Sequence, residues 1–305
     1  MRKILISVGM IVFVGALVAG ATGAFFSDTE TSTGNTFAAG DIDLQIDNES
    51  YAIDFNVPGF DGEPSGALVF NQNTSWTLAD LEAGVQKFFD FEDLKPGDYG
   101  EDTISIHVGS NNAWMCAAAQ LTADDDVTCT EPEEGDDANC AEPGEGLGEL
   151  DDQVNFAFWA DDGDNVLEDN EVSNIFLAGP IGNIDDQGQI ALADSQEGIN
   201  GANNPIPGDS TFYIGKAWCF GTLTANAVVQ DGLGKVGTEQ NPNNVPNGPT
   251  SGRGTGIACD GSGVDNSAQT DLVEGDLQFY AVQSRNNPDF TCAGDYDPVW
   301  PVLTE

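Results

Sequence analysis

Basic side chains are nearly absent. Of 305 residues only eight are Lys or Arg, against 52 Asp or Glu, giving a formal net charge of −44. Nucleic acid and anionic membrane surfaces repel such a chain, so neither is expected as a partner. Three uses of the acidity stay open: hydration at high salt, where self-repulsion is screened, binding of divalent cations through carboxylates, and plain solubility. Histidine is scarcer still. His107 stands alone, which excludes H-E-x-x-H and any other paired-histidine centre. It falls on the strand face opposite Ile104, Ile106 and Val108, where an ordinary sheet histidine belongs. There is no G-x-S-x-G elbow, no P-loop and no G-x-G-x-x-G after a strand. Carboxylates are plentiful, but nothing singles out two of them as a glycosidase pair. The chain is expected not to be an enzyme.

Long apolar runs are absent after the first. Met1-Arg2-Lys3 is basic, Ile4 to Ala21 is apolar, and Thr22-Gly23-Ala24 supplies small residues. That is the pattern of a secretory signal peptide, residues 1–24, cut between Ala24 and Phe25. At about 18 residues the run is near the lower limit for a spanning helix, so a retained anchor is the competing reading. Gly9, Gly15, Gly20 and Gly23, and the acidic turn after Phe26, favour cleavage. The expectation is a secreted, extracellular or cell-surface domain over residues 25–305, with no membrane association once the signal is removed.

Six cysteines remain: Cys116, Cys129, Cys140, Cys219, Cys259 and Cys292. In an exported chain an even count reads as disulfides. Cys129 and Cys140 flank one short acidic loop and are expected to pair. Cys116 and Cys219 follow Trp114 and Trp218 in strand-like segments and are paired by default, leaving Cys259–Cys292. Zinc is the rival reading, weakened by the lack of any C-x-x-C.

With 40% hydrophobic and 20% charged residues the chain is globular rather than disordered. Short alternating runs separated by Gly, Asn, Asp and Pro predict an all-β fold, a single antiparallel β-sandwich with long acidic and Gly/Asn-rich loop insertions. Residues 41–46, 102–108, 153–158 and 276–281 each put apolar side chains on one face, and 211–220 is apolar on both, as a central strand should be. Residues 124–149 and 230–256 read as surface loops, Asp124-Asp125-Asp126 and Asp185-Asp186 as solvated. Residues 82–90 read as a short helix, and 170–176 as one helical turn.

The segment from Trp159 to Glu171 carries the strongest local site. Its carboxylates and amide crowd around Gly163, and hard cations such as calcium take several oxygen ligands from a tight loop. Asp161, Asp162, Asp164, Asn165, Glu168 and Glu171 are the candidate ligands, with Asp161, Asp164 and Glu171 preferred. No frame fits the EF-hand spacing, and a plain solvated turn is the alternative. Asn48 and Asn73 head short glycosylation sequons.

Residues 23–30, with Asn35 to Leu44, resemble the processing region of the TasA/camelysin family, whose members carry a SipW-type signal peptide. Asp93-Leu-Lys-Pro-Gly-Asp98, a turn leading into a strand at residues 103–108, resembles a second marker of that family. The resemblance implies a jelly-roll sandwich and an extracellular fibre subunit. In such fibres the freed N-terminal segment inserts as a donor strand into the next copy. By position, residues 25–38 would be the donor and Phe25, Phe26 and Phe37 its anchors. The competing reading is a first strand that pairs within its own domain. The implied partners are further copies of the chain and a cell-surface anchor protein. Two other functions compete. One is a monomeric adhesin or carbohydrate-binding module, which would present Trp159, Trp218 or Trp300. The other is a camelysin-type metallopeptidase, which the single histidine disfavours.

Overall fold

The computed structural model describes residues 42–57, 66–183, 187–199, 201–235 and 247–300. Signal cleavage at Ala24, the donor segment with Phe25, Phe26 and Phe37, and Asp185-Asp186 lie outside them.

The chain is an antiparallel β-sandwich. Its larger sheet contains β1 (Leu44–Asp54), β2 (Ala67–Phe70), β3 (Trp76–Ala79), β4 (Tyr99–Val108), β6 (Val154–Asp161), β7 (Ile175–Pro180) and β9 (Ser210–Phe220), in the order β2-β1-β4-β9-β6-β7, with β3 also on β1. The smaller sheet contains β5 (Ala113–Asp125), β8 (Gln189–Ala193) and β12 (Leu272–Gln283), in the order β12-β5-β8. A hairpin of β10 (Thr222–Ala225) and β11 (Ile257–Asp260), and two short helices, α1 (Leu150–Gln153) and α2 (Cys292–Asp295), complete the elements used below.

Period-two alternation sorts the side chains. On β4, Ile104 and Ile106 face the sandwich interior and meet Ile214 and Phe212 of β9. On β6, Val154, Phe156 and Phe158 join them, opposite Phe220, Trp218 and Lys216. The smaller sheet supplies the facing layer, where Leu277 and Phe279 of β12 pair with Ala119 and Ala117 of β5 and pack against the same core. The outer face of the larger sheet is covered too, by Trp159, Leu167, Ala217 and Ile257. That second layer is why β9 is apolar on both faces. It also requires Gly215, opposite Trp159 in the register, because a Cβ there would lie 2.2 Å from the Trp159 ring.

Several expectations need correction. Cys129–Cys140 forms, but Cys116 bonds to Cys292 and Cys219 to Cys259. The reason is facing. Cys116 pairs in register with Tyr280, on the side of the smaller sheet where Tyr280 stacks on Phe290 and Tyr296 next to α2. Cys219 points off the outer face of the larger sheet toward β11. The two Trp-flanked cysteines therefore face away from each other. Residues 82–90 form turns rather than a helix. Gly84 takes φ +76°, and Phe88 and Phe89 are drawn onto the core. The expected turn within residues 170–176 is a single 3-10 turn, Val172–Asn174. Residues 124–149 are not a solvated surface loop throughout: Asp124 and Asp125 end β5, paired with Val273 and Leu272, and Asp126, Glu133 and Asp137 are buried. Among the described residues no helix is long and apolar enough to cross a membrane.

Candidate cation site on the outer face

β6 ends at Asp161, and the chain turns at once. Asp161 Oδ2 accepts from the amides of Gly163 (2.8 Å) and Asn165 (3.1 Å), while Oδ1 accepts from Trp159 Nε1 at 3.0 Å. This closure needs left-handed backbone at Gly163 (φ +105°) and Asn165 (φ +60°), the residue types that tolerate it. Glu171 closes the other end, accepting from the amides of Asp162 and Glu168, each at 3.1 Å. The segment is thus a knot of carboxylates held by its own backbone.

The structure brings the five carboxylates among the six sequence candidates together, and Asn165 lies in the same turn with its amide on Asp161. Oxygens of Asp161, Asp162 and Asp164 lie within 4.8 Å of one another, as do those of Asp162, Glu168 and Glu171. Distant residues that the sequence did not single out complete the cluster. Arg253 Nη1 lies 3.1 Å from Asp164 Oδ2 and 3.0 Å from Asp231 Oδ2, and its Nη2 lies 2.5 Å from Glu168 Oε1. Asn247 Nδ2 donates to Asp164 Oδ2 at 3.0 Å, and Gln230 Nε2 to Asp162 Oδ2 at 3.2 Å. Glu101, fully buried on the outer face of β4, adds another carboxylate. The signal that could have found Arg253 is composition: so few cations serve so many acids that each cation is a candidate clamp.

Burial is the main electrostatic fact. It pushes Asp161 up to about 7. Burial, then the neighbouring Asp161, Asp162 and Glu168, pushes Asp164 to about 8. Burial and Asp161 push Glu171 to about 9, and burial holds Glu101 well above the usual carboxylate range. N–H donors already hold both oxygens of Asp161, Asp164 and Glu171, together with Asp162 Oδ2 and Glu168 Oε1. Asp162 Oδ1, Glu168 Oε2 and Asn165 Oδ1 are buried and have no hydrogen-bond partner. These are the atoms with capacity left for a hard cation, and the donor set, oxygen throughout, fits one.

His107 is partly buried, with Nε2 2.6 Å from Asp47 Oδ2 and Nδ1 3.1 Å from the Thr211 hydroxyl. Trp159 and Trp218 are buried at 0% and 2% exposure, so neither offers a sugar platform. Trp300 is partly buried.

A groove of about 2010 Å³ opens between the two sheets. Phe156, Trp218 and Phe220 line it from the larger sheet, Leu277 and Phe279 from β12, and Trp300 from the C-terminal segment. β12 is the outermost strand of its sheet, and among the described residues no strand pairs with its other edge.

Residues 1–59 match the model of a protein family described as camelysin metallo-endopeptidase. That bears out the resemblance at the N-terminus. The match takes in β1 and ends before both the acidic loop of β6 and the groove. No curated protein matches the chain.

Proposed function

We propose that this chain is an extracellular structural subunit that polymerises by accepting the N-terminal segment of another copy beside β12. The observation that carries this reading is the groove together with the open β12 edge. An edge strand presents unpaired N–H and C=O groups, which another strand can satisfy while its side chains fill the pockets beneath. β12 has 12 residues, a span of about 40 Å at about 3.3 Å per residue. Residues 25–38 of a second copy are of matching length, and Phe25, Phe26 and Phe37 suit a groove lined by Phe and Trp. Three disulfides fit an oxidising, extracellular location.

In the same reading calcium stiffens the loop after β6. Asp162, Glu168 and Asn165 would supply the open oxygens, with Asp161, Asp164 and Glu171 shaping the loop around them. The bound ion would supply charge compensation only. The chain is read as non-enzymatic, since His107 is committed to Asp47 and Thr211 and no second histidine exists.

The test is assembly of protein beginning at Phe25 against protein beginning at Ala39, by negative-stain microscopy and sedimentation. Filaments from the first and monomers from the second are expected, with a synthetic 25–38 peptide binding the shorter form. Monomers from both, or filaments from both, would overturn the reading.

A further inference from the structure

A second group of carboxylates lies at one end of the smaller sheet, and no residue of it belongs to the loop after β6. The β5–β12 ladder ends at Asp125 opposite Leu272. The next residues along, Asp126 and Asp271, therefore meet as like charges just past the end of the ladder, an arrangement that destabilises the sheet end unless something compensates. Glu133 joins them, with ligand oxygens of the three within 4.8 Å of one another, and Asp137 lies within the same distance of Glu133. Glu149, from the end of the same loop, is close enough that Asp137, Asp271, Asp126 and Glu133 all act on its charge.

Each carboxylate held by a donor is held on one side only. Glu133 Oε2 accepts from the Thr130 amide (2.9 Å) and hydroxyl (3.2 Å). Asp137 Oδ1 accepts from the Asn139 amide at 2.8 Å. Asp271 Oδ2 accepts from the amides of Glu149 (2.6 Å) and Leu150 (3.1 Å). Their other oxygens, Glu133 Oε1, Asp137 Oδ2 and Asp271 Oδ1, are buried without a partner, as are Glu149 Oε2 and both oxygens of Asp126. Asp126, Glu133 and Asp137 are 2%, 0% and 7% exposed. Burying an unpaired carboxylate is costly, and several facing one another cost more. The cluster after β6 has Arg253, whereas no ion pair among the described residues reaches this one.

We propose that Asp126, Glu133, Asp137, Glu149 and Asp271 form a calcium site, set in place by the Cys129–Cys140 disulfide. The open oxygens are enough to fill the six to eight positions that calcium takes, together with water. The disulfide closes the ring that carries Glu133 and Asp137, so two ligands are ordered before the ion arrives. Magnesium demands a tighter octahedron and gives up its water reluctantly, so calcium is the ion this set favours.

The test uses the oxidised full chain, freed of metal and titrated with calcium chloride by equilibrium dialysis and calorimetry. The double variant D126N/E133Q is expected to bind one calcium fewer per chain, while D162N keeps that ion. In the wild-type protein calcium is expected to slow amide exchange across residues 126–137, and magnesium at the same concentration to do so less. D137N provides a milder variant, with weakened affinity expected, should the double variant not fold. Unchanged stoichiometry in a folded D126N/E133Q, or exchange at 126–137 indifferent to calcium, would overturn the site. Equal protection by magnesium would overturn its assignment to calcium.

Discussion

Lys216 Nζ lies 2.8 Å from Asp102 Oδ2, and both side chains are fully buried in the sandwich interior. The two residues face each other directly in the β4–β9 register. Nζ also donates to the Phe88 carbonyl at 2.8 Å and sits 3.8 Å over the Phe89 ring. Asp102 Oδ1 accepts from Asn48 Nδ2 at 3.2 Å. One ammonium thus ties Phe88 and Phe89, which also line the groove, to the central strands of the larger sheet.

Removing one partner of this pair leaves the other charge buried and alone. K216M is expected to lose about 3–5 kcal/mol of stability. K216M/D102L, which removes both charges, should lose clearly less than the sum of the single variants. Urea denaturation of the four proteins measures the coupling.

Arg253 is the corresponding clamp on the outer face, though its side chain is 21% exposed. R253M is expected to lose about 3 kcal/mol, the low end for a broken ion-pair network. R253K should recover only part of this, because Lys lacks the planar fork that spans Asp164 and Glu168. Added calcium should raise the melting temperature of R253M more than that of the wild type.

Acid should stabilise the metal-free protein. Burial and like-charged neighbours hold Glu149 up to about 7 and Asp124 and Asp271 up to about 6. A raised carboxyl contributes stability that is complete below its ordinary value and is lost as pH rises through the folded value. In chelator the melting temperature should therefore fall from about pH 4 to about pH 9, because Asp164 and Glu171 of the loop after β6, held up to about 8 and about 9, extend the window beyond that of Glu149. Calcium should flatten that slope, since the ion replaces the protons it displaces. Differential scanning calorimetry at fixed ionic strength measures both.

Non-reducing peptide mapping should recover Cys116 joined to Cys292 and Cys219 joined to Cys259. A Cys116–Cys219 peptide would contradict the facing argument. Casein hydrolysis is expected to be absent, and chelator should not change the result.

Much of the sandwich was legible because its strands alternate. β4, β6, β9 and β12 announce themselves through Ile104 and Ile106, Phe156 and Phe158, the doubly apolar 211–220, and Leu277 with Phe279. β1 was legible only at its start. Its middle, Asp47-Asn48-Glu49-Ser50, is polar, yet all four residues are buried at 4% exposure or less. They are buried because their partners come from elsewhere: His107 for Asp47, Thr74 and Asp102 for Asn48, and Ser75 for the Ser50 amide. No local pattern encodes partners so far away. The same holds for the site after β6. Its loop was readable as a run of carboxylates around Gly163. Arg253, Asn247 and Asp231 arrive from a stretch whose composition says only loop. The cluster at Asp126 escaped because acidic loops in so acidic a chain look solvated, and burial is a property of the fold rather than of the run.

Asn48 and Asn73 carry the same short sequon but record different moments in the life of the chain. Asn73 is exposed on a turn and accessible in the finished domain. The Asn48 amide is shut inside, donating to the Thr74 carbonyl at 2.6 Å and to Asp102. A sugar found at Asn73 would leave the order of events open. A sugar found at Asn48 would date its own attachment to before the sheet closed, and would mark a molecule that never closed it.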